Sequence, residues 1–322
     1  VDFVGLASVA IWLGTLQVVL QEGERDGWFE SGLIVSLAVI SALAFAVFIY
    51  TELTIDRPLI NIRIFKDRDF AAGSLGGALV GATLFGSVFI VPLFAGTLLG
   101  YTALQIGLVL LPTSLVSLAL FPVAGRISAW LDPRIMLAAG VVLMSASMLG
   151  NGFLTMQDSF TQLMTIQLLR GAALPFLFTS LGQLALTKLA PEQKADGSSL
   201  YNLTRTLGGS IGIAIIGTLI VNRERFHFER FGESVTQFAF ATRERLAGLT
   251  ARFNAGGVTG VHDAAHQANA ALAGVLTQQA FVCAFDDASL GLAIAGILML
   301  FLIPLFNVTR RPSAPMTPAA DH

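Results

Sequence analysis

Few residues in this sequence could bind a solute or move a charge. Two that could are arginines set in apolar runs. Arg170 stands about nine residues into "FTQLMTIQLLRGAALPFLFTS". At 1.5 Å rise per residue that is roughly 13 Å along a helix. Gln167 precedes it by one turn, and Thr179, Ser180 and Gln183 follow. Such an arginine could face a cavity and meet an acidic group or an anionic solute. It could equally bond backbone carbonyls freed by Pro175. Arg205 follows Asn202 by one turn, and it could contact a solute or snorkel to a membrane surface. The stretch "GRISAWLDPR" puts Gly125, Arg126, Asp132 and Arg134 within ten residues. An aspartate between two arginines can pair charges across helix ends and lock a gate, or it can be ordinary loop charge. "HDAAH" spaces His262 and His266 by four, a metal-capable spacing, although a solvated helix accounts for it better. The lone Cys283 excludes a disulfide framework and a cysteine-ligated zinc. The sequence has no P-loop, no G-x-S-x-G elbow and no metalloprotease motif. An enzyme, a cofactor and a bound metal are therefore not expected.

These residues must be held by membrane helices. Apolar residues make up 54% of the 322, and charged residues 12%, about half the soluble norm of roughly 25%. Mean hydropathy is +0.74. That leaves too little charge to coat a soluble fold and too much apolar surface for a disordered one. A net charge of -2 gives no reason to expect nucleic-acid binding. Eight stretches are apolar enough to cross a bilayer: 4–20, 32–51, 70–96, 104–124, 135–154, 161–187, 199–221 and 287–306. All 21 acidic residues fall outside these windows or at their edges, and of 19 basic residues only Arg170 and Arg205 lie well inside. A cost of about 2.5–3.5 kcal/mol per central charge produces such a distribution. No Asp, Glu or His is left inside to carry a proton, so a proton carrier is expected outside this chain. The chain begins at Val1 without a basic segment before an apolar one. It is thus expected to lack a signal peptide and to continue upstream.

The loops set an orientation. Segments 52–69, 125–134, 188–198 and the tail hold ten basic residues, against Arg25 alone in 21–31, 97–103 and 155–160. The first set is expected in the cytoplasm, with both chain ends. The 65-residue segment 222–286 is then extracytoplasmic. In it Phe228, Phe231, Val235 and Phe238, then Leu246, Leu249 and Phe253, recur at helical spacing. An amphipathic helix is expected there, followed by an Ala-rich one over about 262–284. The apolar face could lie on the membrane or dock another protein. Gly73, Gly77 and Gly81 lie four apart, as do Gly208 and Gly212 beside Gly209. Stripes of this kind let helix backbones approach closely.

Three separated stretches carry a resemblance. "GRISAWLDPR" resembles the second-half copy of the loop motif of the major facilitator superfamily. "RGAALPFLF" with "LAPEQKADGSSLYNLTRTLGGSIGIA" (170–214), and "ELTIDRPLINIRIFKDRDF" (52–70), are similar to the 14-span drug:proton antiporters, the EmrB-type multidrug exporters. The resemblance implies an all-α membrane protein with two central linker helices (1–51), a cytoplasmic connection (52–69), a C-terminal six-helix bundle (70–306) and a cytoplasmic tail (307–322). It implies proton-coupled export of hydrophobic or amphipathic compounds by alternating access across a bacterial inner membrane. The expected partners are the lipid bilayer, an N-terminal six-helix bundle of the same polypeptide, protons, amphipathic small molecules, and a periplasmic adaptor protein docked on 222–286. An exporter of a metabolite or siderophore on the same scaffold, and a non-transporting membrane scaffold, are the alternatives.

Overall fold

Helix starts along this chain are set by short polar residues before apolar runs. The computed structural model describes residues 2–55, 60–155, 160–235, 240–255 and 261–305. Asp2 accepts from the Gly5 amide at 2.8 Å and opens α1 (Phe3–Glu22). After a turn comes α2 (Gly32–Thr54). Asp67 caps α3 (Arg68–Thr97) by accepting from the Phe70 amide at 2.9 Å. Thr102 and Gln105 form a reciprocal capping box at the head of α4 (Ala103–Ile127). Asp132 caps α5 (Pro133–Asn151), whose first residue is proline. Then follow α6 (Phe160–Leu186), α7 (Lys194–Ser234), α8 (Phe240–Ala255) and α9 (Val261–Leu298), which continues as a 3-10 segment, Met299–Leu305. No strand occurs among the described residues. All of these helices but α8 are long and apolar enough to span a bilayer.

Helices α3 to α7 and α9 form one bundle, with α1 and α2 as a hairpin against α7. The core combines Phe70, Phe94, Leu137, Met148, Leu177 and Phe285, all at most 1% exposed. Its tightest contact is α3 on α7. A Cβ at Gly212 would stand 2.5 Å from Ala82 Cα, one at Gly208 would strike the Ala78 backbone, and one at Gly81 would strike the Arg205 carbonyl. Gly77 faces the Tyr201 ring, Gly209 the Phe85 ring and Gly73 the Ala185 backbone of α6. The two stripes meet at Gly81 and Gly209, with Gly208 and Gly212 of α7 seated on alanines of α3 and Gly73 turned to α6.

The helices differ from the expected spans in one region. The span expected to end at residue 221 continues unbroken to Ser234, and the last begins at Val261 rather than 287. At 1.5 Å per residue, α7 and α9 are about 60 Å long, twice a hydrocarbon core of roughly 30 Å. Phe228 and Phe231 thus belong to an extension of α7, Leu246, Leu249 and Phe253 to the separate α8, and the Ala-rich helix is the first part of α9. The α7 extension is tied to α9 by Arg223 and His227 on Asp287 and is otherwise largely exposed. Arg57, Phe238, Arg310, Arg311, His322 and the tail 307–322 lie outside the described residues, as does the His262 side chain.

Candidate functional site

The buried arginine has its partners on neighbouring helices rather than on its own. Arg170 is 2% exposed. Its Nη1 donates to the Ser87 carbonyl of α3 at 3.4 Å and its Nη2 to Thr113 Oγ1 of α4 at 3.3 Å. The carbonyl that Pro175 frees, that of Gly171, accepts instead from Ser117 Oγ at 2.9 Å. Thr113 Oγ1 likewise donates to the Gln167 carbonyl at 3.1 Å. Two α4 hydroxyls, four residues apart, therefore bind two α6 carbonyls with the same spacing. Gly171 gives α4 room, since a Cβ there would lie 2.9 Å from Thr113 Cα. The Gln167 side chain is fully buried and neither of its polar ends has a partner; Arg170 Nε is enclosed and equally unserved. Among the described residues, Arg170 makes no ion pair. Gln183 is half-buried, and its carbonyl accepts from the Thr187 hydroxyl. Gln183 is not among the partners of Arg170.

Arg205 has a different setting. It is half-buried on α7, its guanidinium 4.9 Å from the centroid of the Phe178 ring of α6. Phe178 in turn neighbours Phe121 of α4, centroid to centroid 6.4 Å. Asn202, one turn before Arg205, is exposed. A cation over an aromatic face is held by the ring quadrupole. The structure thus brings α4, α6 and α7 together in a half-exposed row of one cation and two rings. Sequence reasoning could not single out Phe178 or Phe121 among 24 phenylalanines. The Thr113/Ser117 pair was readable as two hydroxyls one turn apart in an apolar run.

In the 125–134 turn, Asp132 spends its carboxylate on the Arg134 backbone amide, Oδ1 at 2.9 Å. Arg126 is exposed and Arg134 half-buried, with Nε enclosed. Among the described residues neither arginine pairs with Asp132. The ion pair at this end joins Lys188, just past α6, to the buried Asp69 in the first turn of α3. Gly125 is open, with nothing near its missing Cβ.

Long apolar helices in a close-packed six-helix bundle define a multi-pass membrane protein. Residues 52–213 match the family model of the Major Facilitator Superfamily, and the chain belongs to that superfamily, on its EmrB-type branch. It is 34% identical over 254 residues to the multidrug export protein EmrB of Escherichia coli K12, covering 77% of this chain and 49% of that protein. It is 27% identical over 311 residues to the fatty acid resistance protein FarB of Neisseria gonorrhoeae, covering 97% and 59%. With the EmrB of Haemophilus influenzae the identity is 31% over 240 residues, covering 74% and 47%. The chain spans about half the length of the curated relatives it matches.

Proposed function

We propose that this chain is the C-terminal portion of a proton-coupled exporter of hydrophobic or amphipathic compounds in a bacterial inner membrane. It would supply the two central helices and one of two six-helix bundles that rock about a shared cavity. Both chain ends would lie in the cytoplasm, and the 222–286 helices would meet a periplasmic adaptor. The observation that carries this reading is the half-exposed row of Phe121, Phe178 and Arg205. Aromatic faces beside a single cation suit flat apolar solutes, and charged ones by either the ring or the guanidinium. The N-terminal bundle would close over this face. Arg170 lies two turns along α6 from Phe178, about 12 Å away, enclosed with Gln167 by α3 and α4, and would brace the wall.

The 125–134 turn would act as a cytoplasmic gate through Gly125, Arg126, Asp132 and Arg134, with the glycine-lined contact of α3 and α7 as the surface along which the two helices adjust. Similarity to EmrB and to FarB, named for multidrug export and for fatty acid resistance, supports export of amphipathic solutes. Arg205 makes no ion pair among the described residues, which favours an amphipathic anion as one substrate class. Drug and fatty-acid susceptibility of cells expressing the full polypeptide tests the proposal. Phe178→Ala should lower resistance to apolar compounds at unchanged protein level, and Arg205→Ala should lower it selectively for anionic ones. Full resistance from both variants would remove this face from the transport route.

A further inference from the structure

Two adjacent aspartates in α9 have opposite surroundings. Asp287 Oδ2 accepts from Arg223 Nε of α7 at 2.6 Å and lies 2.7 Å from His227 Nε2, one turn further on. It is a carboxylate held by a guanidinium and an imidazole. Asp286, half-buried, is turned about 100° away on the same helix, where the chain passes the end of α5. Its backbone oxygen lies 3.4 Å from where a Cβ of Gly152 would stand. Its Oδ1 is enclosed and has no hydrogen-bond partner. The polar groups on that side are unserved as well. Ser289, one turn along α9, is fully buried with its hydroxyl unpartnered, and Asn151, beside Gly152, is fully buried with both amide atoms unpartnered. Phe285 and Phe94, with ring centroids 4.3 Å apart, bring α9 against α3.

We propose that Asp286 is a proton-binding site of this bundle. Its carboxyl holds a proton while α5 and α9 are closed on it, and gives it up when they part and water enters. The argument is one of charge and donors. An ionised carboxylate that loses water needs donors or a cation. On this stretch of α7, Arg223 and His227 are taken by Asp287 and Arg230 by Glu233, while Arg225 is exposed and makes no ion pair among the described residues. On α5 the charged residue is Arg134, and on α3 they are Arg68 and Asp69, all in the first turn, at the other end of the bundle. α8 carries Arg243, Glu244, Arg245 and Arg252, and none of them pairs with Asp286. The ionised Asp287 next door opposes a second negative charge. A carboxylic acid, by contrast, has an O–H to offer the oxygens of Asn151 or Ser289. The two aspartates fall at the edge of the expected last span, so charge placement alone gave no carrier within this chain. The continuous α9 sets them against α5 and α7 instead.

The role in transport rests on the proton-coupled reading above, whereas the site itself does not. Dicyclohexylcarbodiimide, which modifies protonated carboxyls in apolar surroundings, should label wild-type protein in native membranes at neutral pH. Peptide mass mapping should place the adduct on Asp286 and not on Asp287, with labelling lost as pH rises. An adduct on Asp287, or on neither, overturns the proposal. In the full polypeptide, Asp286→Asn imitates the protonated acid. It should retain drug binding and lose the proton release on drug addition that a pH-sensitive dye reports. Wild-type proton release from that variant also overturns the assignment. If Asp286 is labelled but wild type releases no proton on drug addition, the site stands and the proton-coupled reading falls.

Discussion

At the residue scale, burial separates two arginines that the sequence presents alike. Arg170 is enclosed and binds α3 and α4. Hydrogen bonds from a charged group contribute about 1.5–3 kcal/mol each, and removing one partner leaves the other unsatisfied. Arg170→Ala should therefore lower stability by about 2–4 kcal/mol, read as a lower thermal midpoint in detergent and a lower membrane level. Export per folded molecule should change much less. Arg205→Ala should do the reverse, since its ring contact on Phe178 is half-exposed. Such a cation–π contact is worth about 0.5–1 kcal/mol at an exposed site. The spacing of Arg170 and Pro175 left a local bond and a cavity-facing role equally open. The carbonyl freed by proline accepts from Ser117 of α4, and Arg170 bonds Ser87 and Thr113.

At the element scale, the packing of α3 on α7 has no slack. Gly212→Val would force a branched side chain onto Ala82. Overpacking of this kind costs about 1–3 kcal/mol, and should appear as loss of folded protein by size-exclusion chromatography, whereas Gly107→Val, with open space around it, should leave the elution profile unchanged. Asp132 offers a cleaner separation of roles. As an N-cap it is replaceable by Asn but not Ala, which costs about 1 kcal/mol. As a gate charge it is replaceable by neither. Asp132→Asn with normal thermal stability and impaired export would assign the carboxylate's charge to gating; normal export would leave it a cap. The glycine stripes were legible as four-residue repeats, and which helix each met was not, because periodicity marks a face and not its partner.

At the scale of the whole molecule, the hairpin of α1 and α2 is tied to α7. Gln17 Oε1 accepts from Ser210 Oγ at 2.7 Å, and Trp28 Nε1 donates to Thr218 Oγ1 at 3.2 Å. Trp12 packs at a tilt on Phe45 and stacks on Phe48, holding the hairpin closed. The two central helices should thus move with this bundle. A short thiol cross-linker joining Gln17→Cys to Ser210→Cys should leave export near wild type. Loss of export on cross-linking, with export intact in the uncross-linked double variant, would mean that the hairpin moves against the bundle.

The eight spans, the approximate ends of the first six and the caps at Asp67, Thr102 and Asp132 were determined by the sequence itself. Lipid sorts charge from apolar length one residue at a time, and a cap needs only its own turn. The tertiary structure alone decided which polar residues meet: Arg170 with α3 and α4, Arg205 with two rings, and Asp286 without a cation while Asp287 has two partners. It also carried α7 and α9 far past the bilayer thickness, because contacts between helices distant in sequence hold helical residues whose local composition reads as loop. Those pairings depend on which faces pack together, a property that no single stretch of chain contains.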